Sequence, residues 1–455
     1  MEHIITSLKE IVGAEYVSDH AEEKYLYGRD MGTMSPATPD WVVMPDSTEA
    51  VSRIVLLANR ENIPVIPMGA GLTLSGLTRP LKGGIVVDMK RMNRIIEVNE
   101  KSRYAVVEAG TSQGKLQAYL KKHHPTLKHS SPDAPPTATI AGNVLIHGSG
   151  HISQFGGFHS EMLNGVEAVM PTGEIVRLGS CATSPYWFSR SPLPDLSGLF
   201  LGWAGTTGIV TRLSVKLYPD RPFNDIRIFI TDNGEHVPDV IHRLTGAQIA
   251  EDINVIMSER MPGFQLILIS YSADSKKSLL LKRDLLRESV QSFVDADIGG
   301  FMPVFSIMKK GLMEIPLKSM TQFADERKGG GFEYVGAIMP IELFPEAYRE
   351  GLAIAERLRL PHFLLVRIVG AGHCMMFAFA YPFNRADDSD IERVHKALEA
   401  TNGAVLNMGG IPWKAEAPAQ RQIIEHMDPQ TFDLMNRIRA VLDPQGIMNP
   451  GNWEV

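Results

Sequence analysis

From Asp40 onward, apolar positions follow two alternating rhythms along the chain. Short β-branched runs such as WVVMP (41–45) and IPVIPM (63–68) read as strands. Between them, STEAVSRIVLLANREN (47–62) puts Val51, Ile54, Val55 and Ala58 at helical spacing, with Ser47 or Thr48 as cap and Glu49 in the first turn. Strand, helix, strand and glycine loop make a β-α-β unit. GGIVVDMKRM (83–92) and RYAVVEAG (103–110) continue the strands, and TSQGKLQAYLKKHH (111–124) is a capped helix. GVEAVMPTGEIVRLG (165–179) reads as a hairpin turning at Pro171 to Gly173. GIVTRLSVKLYP (208–219) closes this half.

Past Pro219 the pattern changes, and a boundary falls at 220–224. Strand-like FQLILISYS, FEYVGAIMP, PHFLLVRIVG and MMFAFAYPF alternate with polar helices KKSLLLKRDLLRESVQSF, EAYREGLAIAERL and DSDIERVHKALEAT, the pattern of an α+β domain with an antiparallel sheet. A helical finish, RQIIEHM and FDLMNRIRAVLD, precedes PQGIMNPGNWEV. The expected organisation is a first domain over 1–222, a cap over 223–425 and a terminal segment over 426–455 that returns to the first domain.

Composition narrows the function classes. A chain of 455 residues exceeds one hydrophobic core, so two or more domains are expected. A net charge of −7 offers no basic stripe to exchange for counterions, which argues against nucleic acid as a partner. Two cysteines, Cys181 and Cys374, form neither a disulfide framework nor a metal-cluster spacing and suit a reducing cytoplasm. The start, MEHIITSLKEIVG, lacks the basic and apolar regions of an export signal. Apolar runs such as 363–369 fall short of the roughly 20 residues a bilayer crossing needs.

Three segments carry chemistry. PMGAGLTLSG (67–76) follows a predicted strand; Gly69, Gly71 and Gly76 permit close backbone approach, and Ala70, Leu72, Thr73 and Ser75 supply amides and hydroxyls for a diphosphate. It fits neither the GxGxxG nor the GK[ST] nucleotide loop. HSSPDAPPTATIAGNVLIHGSG (129–150) is nearly free of charge and suits the lining of a buried site. DLSGLFLGWAGTTGIVTRLSVKLYP (195–219) leads a helix through Gly202, Gly205 and Gly208 into a strand.

These segments, in order with PDSTEAVSRIVLLANRENIPVIPMGAGLTLSG, EAVMPTGEIVR and a terminal LDPQGIMNPG, resemble the FAD-linked oxidase family that includes vanillyl-alcohol oxidase, p-cresol methylhydroxylase (PCMH), D-lactate dehydrogenase and the glycolate oxidase flavoprotein subunit. The resemblance runs from about residue 38 to the end. It implies an α+β protein: a PCMH-type FAD-binding domain of two α/β subdomains and an α+β cap domain bearing an antiparallel sheet. It implies that 67–76 binds the FAD diphosphate and that Pro136, Thr137, Thr139, Ile140, Gly142 and Asn143 pass the flavin. It also implies that Gly205, Gly208 and Ile209 support the cofactor and that Asn449 returns to it. The histidine tether that some relatives carry in the diphosphate loop is missing, since Leu72 stands there; His373 and Tyr381 are the anchors left for a link from the cap.

On the substrate side, the metal-bearing segments of the hydroxy-acid relatives correspond to RIVGAGHCMMF (367–377) and NMGGIPWK (407–414). Ala371 replaces the acid of the first, and the second has neither glutamate nor histidine, so no metal is expected. Arg367 and Lys414 are candidates to hold a substrate carboxylate, each with a structural salt bridge as the alternative. His373 is the candidate base, with a satisfied core histidine as the alternative. Arg327 is a weaker candidate. The expected function is oxidation of a small 2-hydroxy acid such as lactate or glycolate. The competing readings are an alkylphenol or aromatic-alcohol oxidoreductase and an electron-relaying subunit. The acceptor is left open among an electron-transfer flavoprotein, an iron-sulfur subunit, a cytochrome, a quinone and oxygen, and a homo-oligomer is compatible with this scheme.

Overall fold

The structure, a computed structural model, describes residues 2–29, 32–73, 76–258, 262–298 and 330–455. The β-α-β unit builds its first sheet. Strands β1 (Val17–Ser18), β2 (Trp41–Val43), β3 (Val65–Met68) and β4 (Ile85–Asp88) lie in the order β1-β2-β4-β3, with β4 parallel to both β2 and β3. Burial on both faces explains the continuous apolar text of β2 and β4. The crossover is the helix Thr48–Glu61, whose cap Ser47 accepts a hydrogen bond from the Ala50 amide. Val51, Ile54, Val55 and Ala58 are its buried stripe. The helix Glu2–Val12 brings Ile4, Leu8 and Val12 to the same core.

A second sheet follows, antiparallel throughout: β5 (Ile95–Asn99), β6 (Tyr104–Glu108), β8 (Leu163–Val169), β9 (Ile175–Gly179) and β10 (Ile209–Lys216), ordered β5-β6-β10-β8-β9. The short β7 (Leu127–Lys128) pairs instead with β11 (Tyr218–Pro219). The expected hairpin over 165–179 is β8 and β9. The expected helix before Gly202 is a single 3-10 turn, Leu196–Phe200.

From Phe223 the chain forms an antiparallel sheet, eight-stranded among the described residues, in the order β15-β12-β14-β13-β17-β18-β16-β19. Its strands are β12 (Phe223–Thr231), β13 (Asp252–Ser258), β14 (Gln265–Ala273), β15 (Ala296–Ile298), β16 (Gly331–Met339), β17 (Phe363–Val369), β18 (Cys374–Phe383) and β19 (Ile411–Trp413). The two-residue period of strands divides its side chains. Val335, Ala337, Val366, Ile368, Phe377 and Phe379 enter one core with the covering helices. The alternate residues Tyr334, Leu365, Met376 and Ala378 face the other way, where they meet Phe158 from the N-terminal half. The chain then returns to its start. Helices Ala417–His426 and Pro429–Leu442 lead to Met448, which bridges in parallel to Val65.

Candidate active site

A cleft of about 1170 Å³ opens where β3 ends. Three segments line it, Gly69 to Thr73, Ala138 to Asn143 in part, and Ala204 to Val210 in part, and Lys414 reaches it from beyond β19. Glycine lets these segments touch. A Cβ on Gly69 would lie 2.4 Å from the Thr139 hydroxyl oxygen, and one on Gly205, at φ 75°, would lie 2.6 Å from Pro67 Cγ. Thr139 also caps the helix Ile140–Leu145, accepting from the Gly142 amide at 3.1 Å. The rim is pinned by Asn449: its side-chain amide donates to the Ala204 carbonyl at 2.6 Å and to the Leu77 carbonyl at 3.3 Å.

Of the residues read from the sequence as cofactor contacts, Pro67, Gly69, Ala70, Gly71, Leu72, Thr73, Thr139, Gly142, Asn143, Gly205, Gly208 and Ile209 line this cleft. Ile140 is buried in the core beneath it, and Gly76 lies against Arg79. Pro136 and Thr137 are exposed, and Asn449 acts on the loops from behind. Ser75 and Arg327 lie outside the described residues.

The substrate-side candidates separate. Lys414 sits at φ 57° with its Nζ 3.9 Å from the centre of the Trp413 ring. Burial pushes its pKa down to about 8, and no carboxylate pairs with it among the described residues. Trp413 donates from its indole to the His147 carbonyl at 3.0 Å, which fixes β19 against the N-terminal half. Tyr334 packs edge-on against Trp413 and donates its hydroxyl to Met376 Sδ at 3.1 Å.

Arg367, by contrast, is fully engaged. Its guanidinium lies 2.9 Å from Asp133 and 3.1 Å from Asp252, and His151 lies 3.0 Å from Asp133. Burial alone raises a carboxyl pKa, but Arg367 and then His151 outweigh it and hold Asp133 below the usual carboxylate range. Arg367 therefore takes the structural alternative and is not free to hold a substrate anion. His373 is exposed on the turn after β17 and does not line the cleft, because Gly370 to Gly372 carry the chain outward there. Tyr381 is buried on the opposite face of the sheet, hydrogen-bonded to Thr401 at 2.9 Å. Among the described residues no group of three or more His, Cys, Asp or Glu side chains is arranged to hold a metal ion.

Sequence reasoning missed a histidine cluster behind the cleft. His159 lies between Ser130, at 2.8 Å, and Asn143, and burial holds it well below the ordinary imidazole pKa. His129 meets Gln113 at 2.8 Å and is pushed down to about 4 by the same cause. The uncharged text of 129–150 signalled burial without indicating its partners.

The cleft, walled by segments that approach one another because glycine lacks a Cβ, has room for an elongated diphosphate cofactor. Comparison with known proteins gives the same class. Residues 39–179 match the FAD binding domain, and 308–453 match the C-terminal domain of the FAD linked oxidases. The chain carries both of these FAD-linked oxidase domains, and its cofactor is FAD. It is 24% identical to the glycolate oxidase subunit GlcD of Bacillus subtilis, over 98% of this chain and 95% of that one. It is 23% identical to a probable mitochondrial D-lactate dehydrogenase of Danio rerio, over 99% and 91%. Among solved structures, p-cresol methylhydroxylase with substrate bound superposes with a TM-score of 0.88 at 18% identity, over 99% of this chain and 96% of that one.

Proposed function

We propose that this FAD-linked oxidoreductase oxidises a small 2-hydroxy acid, and that Lys414 holds the substrate carboxylate. The single observation that carries the reading is an ammonium lining the FAD cleft with no paired carboxylate among the described residues. A desolvated cation without a partner is costly to the fold, and a bound anion relieves that cost. The names of the GlcD and D-lactate dehydrogenase relatives point to the same substrate class. FAD would supply the hydride acceptor; Gly69 to Thr73 would hold its diphosphate, and Gly205 to Ile209 with Asn143 would line its course. Arg367 stays with Asp133 and Asp252. We leave His373 without a role, since an exposed turn gives it no access to the cleft. Electrons pass to a separate acceptor of the electron-transfer flavoprotein, iron-sulfur or cytochrome type.

Anaerobic mixing with glycolate, D-lactate, L-lactate and 4-alkylphenols, followed by flavin bleaching in the visible band, tests the class. Bleaching by a hydroxy acid is expected. Lys414→Met should raise the KM for that acid by about 10- to 100-fold, the worth of a charge-assisted hydrogen bond. Bleaching by alkylphenols alone would transfer the assignment to the aromatic-alcohol class.

A further inference from the structure

Away from the cleft, a groove of about 1360 Å³ runs between the N-terminal half and the large sheet. Arg103, Lys128 and Lys216 line it from the N-terminal half, Arg221 from the junction and Lys282 from the helix Lys276–Val290. Glu251 is the one carboxylate among its described lining residues. That acid is already engaged: it lies 2.8 Å from Lys128 Nζ and accepts the Ser272 hydroxyl.

The remaining cations rest mainly on neutral oxygens. Lys282 Nζ, at 2.7 Å, and Arg221 Nη1, at 3.4 Å, both donate to the Ser272 carbonyl. Asp274 lies 3.8 Å from Arg221 with its side chain 83% exposed. Lys216 donates to the Glu161 carbonyl at 3.0 Å. Burial, then the neighbouring Arg221 for Lys282 and Arg190 for Lys216, hold both ammonium groups below the ordinary lysine range. Glu251 and Asp274 at Lys282, and Glu161 at Lys216, offset this only in part, and a bound anion would relieve the rest.

One further feature describes that anion. Asn164, 2% exposed, backs the groove with its amide nitrogen donating to Ser214 at 3.3 Å. Phe155 and Phe188, 66% and 51% exposed, offer ring faces along the same groove. We propose that this groove is a second ligand site, distinct from the FAD cleft, for a nucleoside phosphate whose charged end bridges Lys216 to Arg221 and Lys282. Its base lies on Phe155 or Phe188.

The test uses the FAD-loaded protein, so that the cofactor's own diphosphate cradle is filled. Titration calorimetry with ADP should show one saturable site per chain, about tenfold tighter than for inorganic pyrophosphate, which supplies the charge alone. Lys216→Met and Lys282→Met, on opposite walls, should each weaken ADP at least tenfold while leaving the flavin spectrum unchanged. Lys414→Met should leave ADP binding as it was. Absence of saturable binding, full affinity in both groove variants, or loss in Lys414→Met would overturn the site. Pyrophosphate binding as tightly as ADP would overturn the nucleoside assignment.

Discussion

Lys414 holds a left-handed backbone conformation one residue past the edge strand β19, which L residues adopt infrequently. Two opposite consequences follow from placing a cation there. Its pKa in the fold, about 8, lies below the unfolded value of about 10.4, so the neutral form is favoured by folding. The penalty is fully present below pH 8, and stability rises with pH between 8 and about 10.4. Lys414→Met should therefore stabilise the protein by on the order of 1–3 kcal/mol at pH 7, with the difference closing across that window in denaturant unfolding. Substrate affinity should move the other way, weakening in the wild type as pH rises through about 8 and the ammonium loses its proton. Gly205→Ala probes the cofactor side. At φ 75° with Pro67 Cγ 2.6 Å from the added Cβ, the substitution should weaken FAD at least tenfold in a fluorescence titration of the apoprotein. These residue-level features were legible in part: a glycine loop after a strand is a local pattern, whereas the pairing of Gly205 with Pro67 spans distant segments.

Short elements, not long ones, shape the cleft. The helix Ile140–Leu145 has six residues and little stability of its own, so its cap and its packing decide whether it forms. Thr139 serves both, capping the Gly142 amide while its hydroxyl fills the space above Gly69. Thr139→Ala should cost about 1 kcal/mol of stability and also loosen FAD, measured by flavin retention on gel filtration. Ser47→Ala removes a comparable cap from the helix Thr48–Glu61 and should cost about 1 kcal/mol with FAD affinity unchanged. Equal flavin loss in both variants would reduce Thr139 to a purely structural cap. The long elements were readable because Ser47 and the spacing from Val51 to Ala58 agree on one helix. The six-residue helix was not, because Pro, Thr and Gly in 129–150 mask so short a period. Strand β13 escaped for a related reason: Asp252 and Asn254 interrupt its apolar text, and the purpose of Asp252 lies in another element.

At the scale of the whole molecule, that purpose is a buried ionic junction. Asp133 and His151 come from the N-terminal half, Asp252 from β13 and Arg367 from β17, with 234 residues separating Arg367 from Asp133. No local pattern encodes a contact of that span, which is why the sequence left Arg367 open between a substrate anchor and a structural salt bridge and did not single out Asp133 at all. The junction couples the halves through charges removed from water, so removing one partner is costly. Arg367→Met leaves Asp133 and Asp252 facing each other and should destabilise the protein by about 3–5 kcal/mol in urea unfolding at pH 7. The pH dependence distinguishes this from simple loss of packing. Asp133 is held below its unfolded pKa of about 3.9, so its contribution is present above that value and is lost as pH falls through the lower folded one. Wild-type stability should therefore fall steeply below about pH 4, and Arg367→Met should flatten that slope. An acid slope as steep in the variant as in the wild type would mean that the guanidinium does not hold Asp133 ionised. The two halves would then be joined by apolar contacts such as those around Phe158, Trp413 and Met376.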